Sequence, residues 1–152
     1  MAAPNPVEAK PKFFTVEEAN KALPLVRAIV ADIVRQFEVV NSHKQRLVAL
    51  KNRRRAPQGS SDASAEETAQ SQANLETEEA QLITYVEELT RLGIELKGPD
   101  GLCDFPSRRD GRDVYLCWRL GEPSVRFWHE INAGFAGRQP LDLSPKTGNR
   151  LA

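Results

Sequence analysis

The sequence has few of the residues on which several classes of protein depend. Its 152 residues include only two cysteines and two histidines, and Lys plus Arg equals Asp plus Glu at 21 each. Two cysteines are too few for the disulfide framework of a small secreted domain. The neutral charge balance argues against nucleic acid or an anionic membrane surface as a partner, because both require an excess of basic charge.

Long apolar runs are missing as well. No segment approaches the roughly 20 apolar residues of a membrane span. The N-terminal sequence MAAPNPVEAKPK has no apolar core of the kind that a signal peptide needs. We therefore expect a cytoplasmic protein without a membrane partner, whose cysteines are free thiols. With 40% hydrophobic and 28% charged residues, the composition indicates a soluble globular chain.

What the sequence does contain is two long helical patterns before Gly93. Thr15 and Glu18 are spaced as a capping box at the start of the first helix. Pro24 predicts a kink or a break about two turns later, after which the helix continues to about residue 52. Its apolar positions alternate by four and three residues, as in the seam of a coiled coil. They are Val26, Val30, Ile33, Phe37, Val40 and Leu47.

A second helical pattern covers residues 66–92 and ends at Gly93, a residue type common just after helices. Residues 53–65 contain proline, glycine and serine and predict a mobile loop before it. Two helices of similar length joined by a loop favour an antiparallel hairpin. The seam of the second helix consists of Leu75, Leu82, Val86 and Leu89.

After the second helix the apolar pattern becomes alternating, which predicts three antiparallel strands. Turn signals at Pro99-Asp100 and Asp110-Gly111 determine how the strands pair. A one-residue slip in either turn would scramble the apolar face. The predicted pairs are Leu96 with Cys103, Ile94 with Phe105, Phe105 with Leu116, and Cys103 with Trp118.

This register separates two faces of the predicted sheet. We expect the apolar face to cover the helical hairpin. Cys103 and Cys117 point to opposite faces, so no disulfide joins them. The apolar face comprises Ile94, Leu96, Cys103, Phe105, Val114, Leu116 and Trp118. The polar face comprises Glu95, Lys97, Asp104, Tyr115, Cys117 and Arg119.

The expected fold class is α+β, in a single domain over residues 13–141 with disordered tails at 1–12 and 142–152. Residues 13–92 form the long, coiled-coil-like antiparallel hairpin. Residues 93–141 form the three-stranded antiparallel meander and a glycine-rich C-terminal loop segment, within which residues 125–131 are predicted as either a short strand or a helical turn.

Several short phrases of the C-terminal region occur in a fixed order: DFP, DGR, LCWRLGE, WHE and GFAGRQP. In these phrases and their spacing, the chain resembles a family of bacterial and archaeal proteins known only as domain of unknown function 2203 (DUF2203). The segment FFTVEEANKALP resembles the start of that family. The resemblance extends from about residue 13 to residue 141. It implies a shared fold and no particular activity.

The polar groups of the C-terminal region form a candidate metal site. A neutral imidazole with carboxylates is a ligand set for zinc or iron. The candidates are Glu122, His129 and Glu130, joined by Asp104 and Cys117 from the polar sheet face. The region contains neither a His-x-x-x-His pair nor a Cys-x-x-Cys pair. In the alternative, structural interpretation, Glu122 caps a turn, and the hydrogen bonds of His129 are satisfied at the edge of an aromatic cluster.

Whether the protein is an enzyme stays open at this point. Glu122 and His129 are a candidate general base and its orienting partner. Cys117 is the one candidate nucleophile, although a half-buried strand thiol is usually inert. The sequence has no serine in a nucleophile elbow and no phosphate-binding glycine loop before a helix.

Arginines make the C-terminal region locally basic. Arg112, Arg119 and Arg138 are candidates for binding an anionic ligand or an acidic partner. The alternative is that the arginines pair with acidic residues of the same region, which the neutral overall charge favours. Arg138, between Gly137 and Pro140, is the arginine that is least easily interpreted as a solvent-exposed side chain.

The leading functional hypothesis is a small cytoplasmic interaction or scaffold protein that forms a homodimer. Apolar residues lie on nearly every face of residues 22–34, so that Leu25, Ile29 or Val34 would be left near solvent. The alternative hypothesis is a metal-binding or metal-dependent protein that uses Glu122, His129 and Glu130.

Overall fold

Two helices and a five-stranded sheet make up the part of the chain that the computed structural model describes, residues 12–54 and 62–142. Helix α1 spans Val16–Arg54 and helix α2 spans Asp62–Arg91. A short 3-10 helix, Phe135–Gly137, lies between the last two strands. The strands are β1 Glu95–Leu96, β2 Leu102–Arg109, β3 Arg112–Arg119, β4 Phe127–Glu130 and β5 Gln139–Pro140.

The two helices pack against each other, which confirms the helical hairpin and the α+β class. The predicted loop at 53–65 is shorter than expected, because α1 extends to Arg54 and α2 begins at Asp62. An acidic residue in the first turn of α2 favours this earlier start, since it interacts with the helix dipole. The middle of that loop and the predicted tails, except Lys12 and Asp142, lie outside the described residues.

The start of α1 follows the sequence prediction, and of the two outcomes predicted at Pro24, a kink or a break, the break is wrong. Thr15 and Glu18 each accept a hydrogen bond from the other's backbone N–H at 3.0 Å, which is the capping box. The helix then runs through Pro24 without interruption. Leu23 and Val26 on either side are buried in the core, and this packing offsets the cost of about 3 kcal/mol that an interior proline carries.

The sheet has five antiparallel strands in the order β1-β2-β3-β4-β5, so the prediction of three strands is wrong. The two additional strands lie within the region that was predicted as a C-terminal loop segment. Of the two alternatives predicted for residues 125–131, the short strand is confirmed as β4, whereas the two residues of β5 are too few for an alternating pattern to identify. They become strands because they pair with β3 and with each other.

The predicted register of the meander is confirmed. Leu96 pairs with Cys103, Cys103 with Trp118 and Phe105 with Leu116. The β2–β3 turn is the predicted two-residue turn, since Asp110 and Gly111 both have positive φ, 54° and 78°. The strand assignment of β1 begins one residue after Ile94, which lies in the core beside it.

The face of the sheet that carries Cys103, Phe105, Leu116 and Trp118, called the inner face, packs against the hairpin as predicted. The opposite face, called the outer face, carries the predicted polar set, but its centre is more buried than the half-buried thiol predicted there, since Asp104 and Cys117 are both buried. Both cysteines are free thiols. Among the described residues, no helix is long and apolar enough to cross a membrane.

Candidate metal centre

The centre of the outer face brings together three side chains from three neighbouring strands. Asp104 of β2 pairs directly with Cys117 of β3. His129 of β4 pairs with Tyr115, which lies two residues before Cys117 and therefore on the same face. The strand register alone thus directs the Asp104, Cys117 and His129 side chains to one side of the sheet.

The three side chains form a tight and buried cluster. Their relative exposures are 3% for Asp104, 0% for Cys117 and 2% for His129. One ligand atom from each, a carboxylate oxygen, the thiol Sγ and an imidazole nitrogen, can be chosen so that all lie within 4.8 Å of one another. Among the described residues this is the one grouping of three or more such side chains at that spacing.

The hydrogen bonds of His129 determine which ring nitrogen is available. Nδ1 lies 2.8 Å from the backbone oxygen of Glu130, which can only accept, so Nδ1 carries a hydrogen. Nε2 lies 3.0 Å from Oδ1 of Asp104. A single proton therefore lies between Nε2 and Oδ1 of Asp104. These two atoms are the candidate ligand atoms for a metal ion.

The thiol of Cys117 is protonated and unreactive in the absence of a metal. Burial raises the pKa of Cys117 to about 11, although the hydrogen bond from Arg138 offsets part of that rise. Burial likewise raises the pKa of Cys103, on the inner face, to about 12. Since the thiolate is the nucleophile, these values argue against Cys117 as a catalytic nucleophile. A bound metal ion would deprotonate a coordinating thiol.

Glu122, a predicted metal ligand, is not part of the cluster. Its carboxylate binds both terminal nitrogens of Arg138, at 2.7 and 2.6 Å, and the backbone N–H of Arg119 at 2.8 Å. Burial alone raises the pKa of Glu122, but the hydrogen bonds from Arg138 and Arg119 outweigh it. The pKa of Glu122 is therefore lowered from its ordinary value of 4.5. Glu122 anchors Arg138, and the predicted turn-capping role fits its bond to Arg119.

The Glu130 side chain, another predicted ligand, also lies outside the cluster. It is partly exposed and pairs with Arg112, whose Nε donates to it at 3.1 Å. What Glu130 contributes to the cluster is its backbone oxygen, which orients His129. Sequence reasoning missed this role, because no side-chain pattern reports where a backbone carbonyl points.

The three candidate anion-binding arginines have partners within the described chain. Arg112 binds Glu130, and Arg119 forms an ion pair with Asp100 at 3.1 Å. Arg138 binds Glu122 and lies over two aromatic rings, 4.1 Å from the centroid of Phe127 and 4.8 Å from that of Phe135. The arrangement follows the predicted alternative of local pairing, and Arg138 is mostly buried beside Cys117.

Comparison with known proteins gives a family but no activity. Residues 12–141 match the model of a family described as "Uncharacterized conserved protein (DUF2203)". No match was found among curated proteins or among solved structures.

Proposed function

The chain belongs to the uncharacterised DUF2203 family, and we propose that this member binds a divalent transition-metal ion through Asp104, Cys117 and His129. One observation carries the proposal: three different donor groups converge in a buried cluster within 4.8 Å. The predicted ligand set is thereby narrowed to His129, Asp104 and Cys117, and the carboxylates of Glu122 and Glu130 are assigned to their arginines.

The orientation of His129 supports the proposal. Metal-binding histidines usually donate their second ring N–H to a carbonyl or carboxylate, which fixes the ring and leaves the other nitrogen free to coordinate. Nδ1 of His129 makes such a bond to the backbone of Glu130, and Nε2 points towards Asp104. The hydrogen bonds of the Asp104–His129 pair are satisfied without a thiol. A purely structural Asp–His pair would therefore not require Cys117, whereas a metal site would use its sulfur as a third ligand atom.

The donor set favours zinc. Nitrogen, sulfur and oxygen ligands together suit zinc, whereas sites for magnesium or calcium use oxygen alone. The thiolate and the carboxylate would balance the two positive charges of the ion. Three protein ligands leave one position of a tetrahedral ion for water or a further ligand. Ferrous iron is the second metal that these donors accept, and the experiment below separates the two.

The test is the metal content and metal affinity of protein purified without an affinity tag. We expect about one zinc ion per chain by elemental analysis, or, after chelation, rebinding of one Zn²⁺ in preference to Fe²⁺ under anaerobic conditions. Cobalt serves as the spectroscopic probe, since a Co²⁺–thiolate bond gives a strong near-ultraviolet absorption. Wild-type protein that neither retains nor rebinds any of these ions would overturn the proposal.

Cys103 provides a matched control for Cys117, because both are buried thiols on neighbouring strands but lie on opposite faces. Cys117→Ala is expected to abolish the cobalt–thiolate absorption and stoichiometric zinc, and Cys103→Ala to leave both unchanged. Glu130→Gln, which keeps the backbone carbonyl, is also expected to retain the metal. Loss of the metal in Cys103→Ala but not in Cys117→Ala would place the site elsewhere.

A further inference from the structure

The side chain of Cys117 lies in a row that crosses three strands of the outer face. Asp104 of β2 pairs with Cys117 on one side, and Phe127 of β4 pairs with it on the other. Residues that are directly opposite each other in antiparallel strands point to the same face of the sheet. The Cys117 sulfur therefore lies between a proposed metal ligand and an aromatic ring.

Arg138 lies over the aromatic end of this row. Its guanidinium carbon is 4.1 Å from the centroid of the Phe127 ring, and its side chain is only 12% exposed. One terminal nitrogen, Nη2, also lies 3.4 Å from the backbone oxygen of Cys117. The guanidinium is thus beside Cys117 and on the same face of the sheet as the sulfur.

One nitrogen of this guanidinium has neither a nitrogen nor an oxygen acceptor. Nη1 and Nη2 both donate to the Glu122 carboxylate, at 2.7 and 2.6 Å. Nε is buried, and no nitrogen or oxygen atom of residues 12–54 and 62–142 accepts a hydrogen bond from it. A buried N–H without an acceptor costs free energy, so such groups are rare and need an explanation.

The planar shape of the guanidinium directs Nε towards Cys117. Nε and Nη2 lie on the same edge of the plane, and one N–H bond of each points in the same direction. Since Nη2 contacts the backbone oxygen of Cys117, this edge faces Cys117. Burial raises the pKa of Cys117, and a side-chain hydrogen bond from Arg138 acts in the opposite direction. The sulfur is therefore the acceptor that the Nε edge can reach.

We propose that Arg138 is a positioning residue of the metal centre, whose Nε donates a hydrogen bond to the Cys117 sulfur when a metal ion is bound. The inference rests on the proposed metal binding and deepens it. A thiol sulfur is a weak acceptor, whereas a coordinated thiolate carries negative charge, and hydrogen bonds to charged acceptors are roughly twice as strong. Metal binding would thus supply the acceptor that Nε lacks.

Glu122 completes the arrangement, because it fixes the guanidinium and balances its charge. An unpaired guanidinium beside the centre would repel a divalent cation. The Glu122–Arg138 pair carries no net charge, so it brings a donor to the sulfur without opposing the metal. Loss of a supporting hydrogen bond around a metal site typically lowers the metal affinity by about ten- to a hundredfold.

The experiment is the titration of wild type, Arg138→Met and Arg138→Lys with cobalt and with zinc. Arg138→Met removes every donor, whereas Arg138→Lys keeps the charge but lacks the planar fork that spans Glu122 and the sulfur. A thiolate that loses a hydrogen bond gives up its electrons more easily, so the cobalt–thiolate band should move to longer wavelength in both variants. Zinc affinity, measured by competition with a chelator, should fall by about ten- to a hundredfold. The band position reports on the sulfur, which a purely structural role of Arg138 would leave unchanged.

The matched control is Arg112→Met, because Arg112 also binds a carboxylate through two nitrogens, that of Glu130 next to His129. It is expected to leave the band and the zinc affinity unchanged. Circular dichroism checks that each variant is folded, and Arg138→Lys decides if Arg138→Met is not.

The outcomes separate this inference from the metal binding on which it rests. A wild type that forms the cobalt band, with the same band position and zinc affinity in the Arg138 variants, overturns the inference and leaves metal binding in place. An equal shift in Arg112→Met also overturns it, because Arg112 pairs with Glu130 instead. A wild type that binds no cobalt overturns the proposed metal site, and this inference with it.

Discussion

At the scale of single residues, the charge balance of the buried cluster decides what it can bind. The thiol of Cys117 is neutral, and Asp104 and His129 share one proton, so the group carries no net charge. A divalent ion that displaces the thiol proton and the shared proton would leave the cluster neutral. The exchange avoids the free-energy cost of burying an uncompensated charge.

This balance predicts that binding of one metal ion releases two protons. Calorimetric titrations with zinc in buffers of different ionisation enthalpy measure the number directly. Cys103→Ala should still release two protons, because its thiol lies on the opposite face, whereas Cys117→Ala should show no stoichiometric zinc binding. A wild-type release of zero would contradict the assignment of Asp104, Cys117 and His129 as the ligands.

The two aromatic residues of β3 provide a residue-scale test of the two sheet faces. Trp118, on the inner face, is fully buried, and its truncation to alanine is expected to cost about 3–5 kcal/mol of unfolding free energy. Tyr115, on the outer face, is half-buried and donates a hydrogen bond to Glu95 at 3.0 Å. Tyr115→Ala should cost roughly 1 kcal/mol. Urea unfolding of both variants measures the two losses of unfolding free energy, and equal losses would mean that the two faces are equally packed.

At the scale of elements, the segment between β4 and β5 contacts the outer face through Phe135 and Arg138. The 3-10 helix Phe135–Gly137 lies within it, and Arg138 follows directly. Arg138 joins this segment to the turn after β3 through Glu122, and it also contacts the backbone of Cys117. A bidentate, partly buried ion pair of this kind stabilises the segment more effectively than an exposed pair would.

Glu122→Gln is expected to lower the stability of the protein at neutral pH. The pKa of Glu122 is lowered in the folded state, so its contribution is present above its ordinary pKa of 4.5 and is lost as pH falls through the folded value. The difference in urea midpoint between wild type and variant should therefore shrink steadily below pH 4.5.

Glu130→Gln serves as the comparison for this pH dependence, because Glu130 also pairs with an arginine but is more exposed. Its effect on the urea midpoint should be smaller throughout. A Glu122→Gln difference that stayed constant from neutral to acid pH would rule out the ionised Glu122–Arg138 pair as its cause.

At the scale of the whole molecule, the candidate metal centre lies apart from the helical hairpin. The centre is on the outer face of the sheet, whereas the hairpin packs against the inner face. Substitutions at distant sites without common partners usually have independent effects.

We therefore predict that loss of the metal leaves the hairpin intact. Cys117→Ala should lose the metal and keep the helical content of the wild type. Zinc titration and circular dichroism on this variant measure the two properties. A large loss of helical content in Cys117→Ala would contradict the independence of the centre and the hairpin.

Local patterns in the sequence determined much of the fold. The apolar periodicity gave both helices, Thr15 and Glu18 gave the start of α1, and the Asp110-Gly111 turn gave the β2–β3 register. These features were predictable because each depends on residues close together in the chain. The inner face followed from the register, since side chains alternate along a strand.

The tertiary structure alone decided which polar side chains meet. Asp104 and His129 are 25 residues apart, and they come into contact only because β4 pairs with β3. From the sequence, Glu122 was an equally plausible ligand, but in the structure Arg138 binds its carboxylate. Pro24 likewise breaks a helix by its local preference, but core packing on both sides of it kept α1 continuous. The sequence determined the elements and their faces because these arise from neighbouring residues, whereas the candidate site arises from contacts that exist only after the strands have paired.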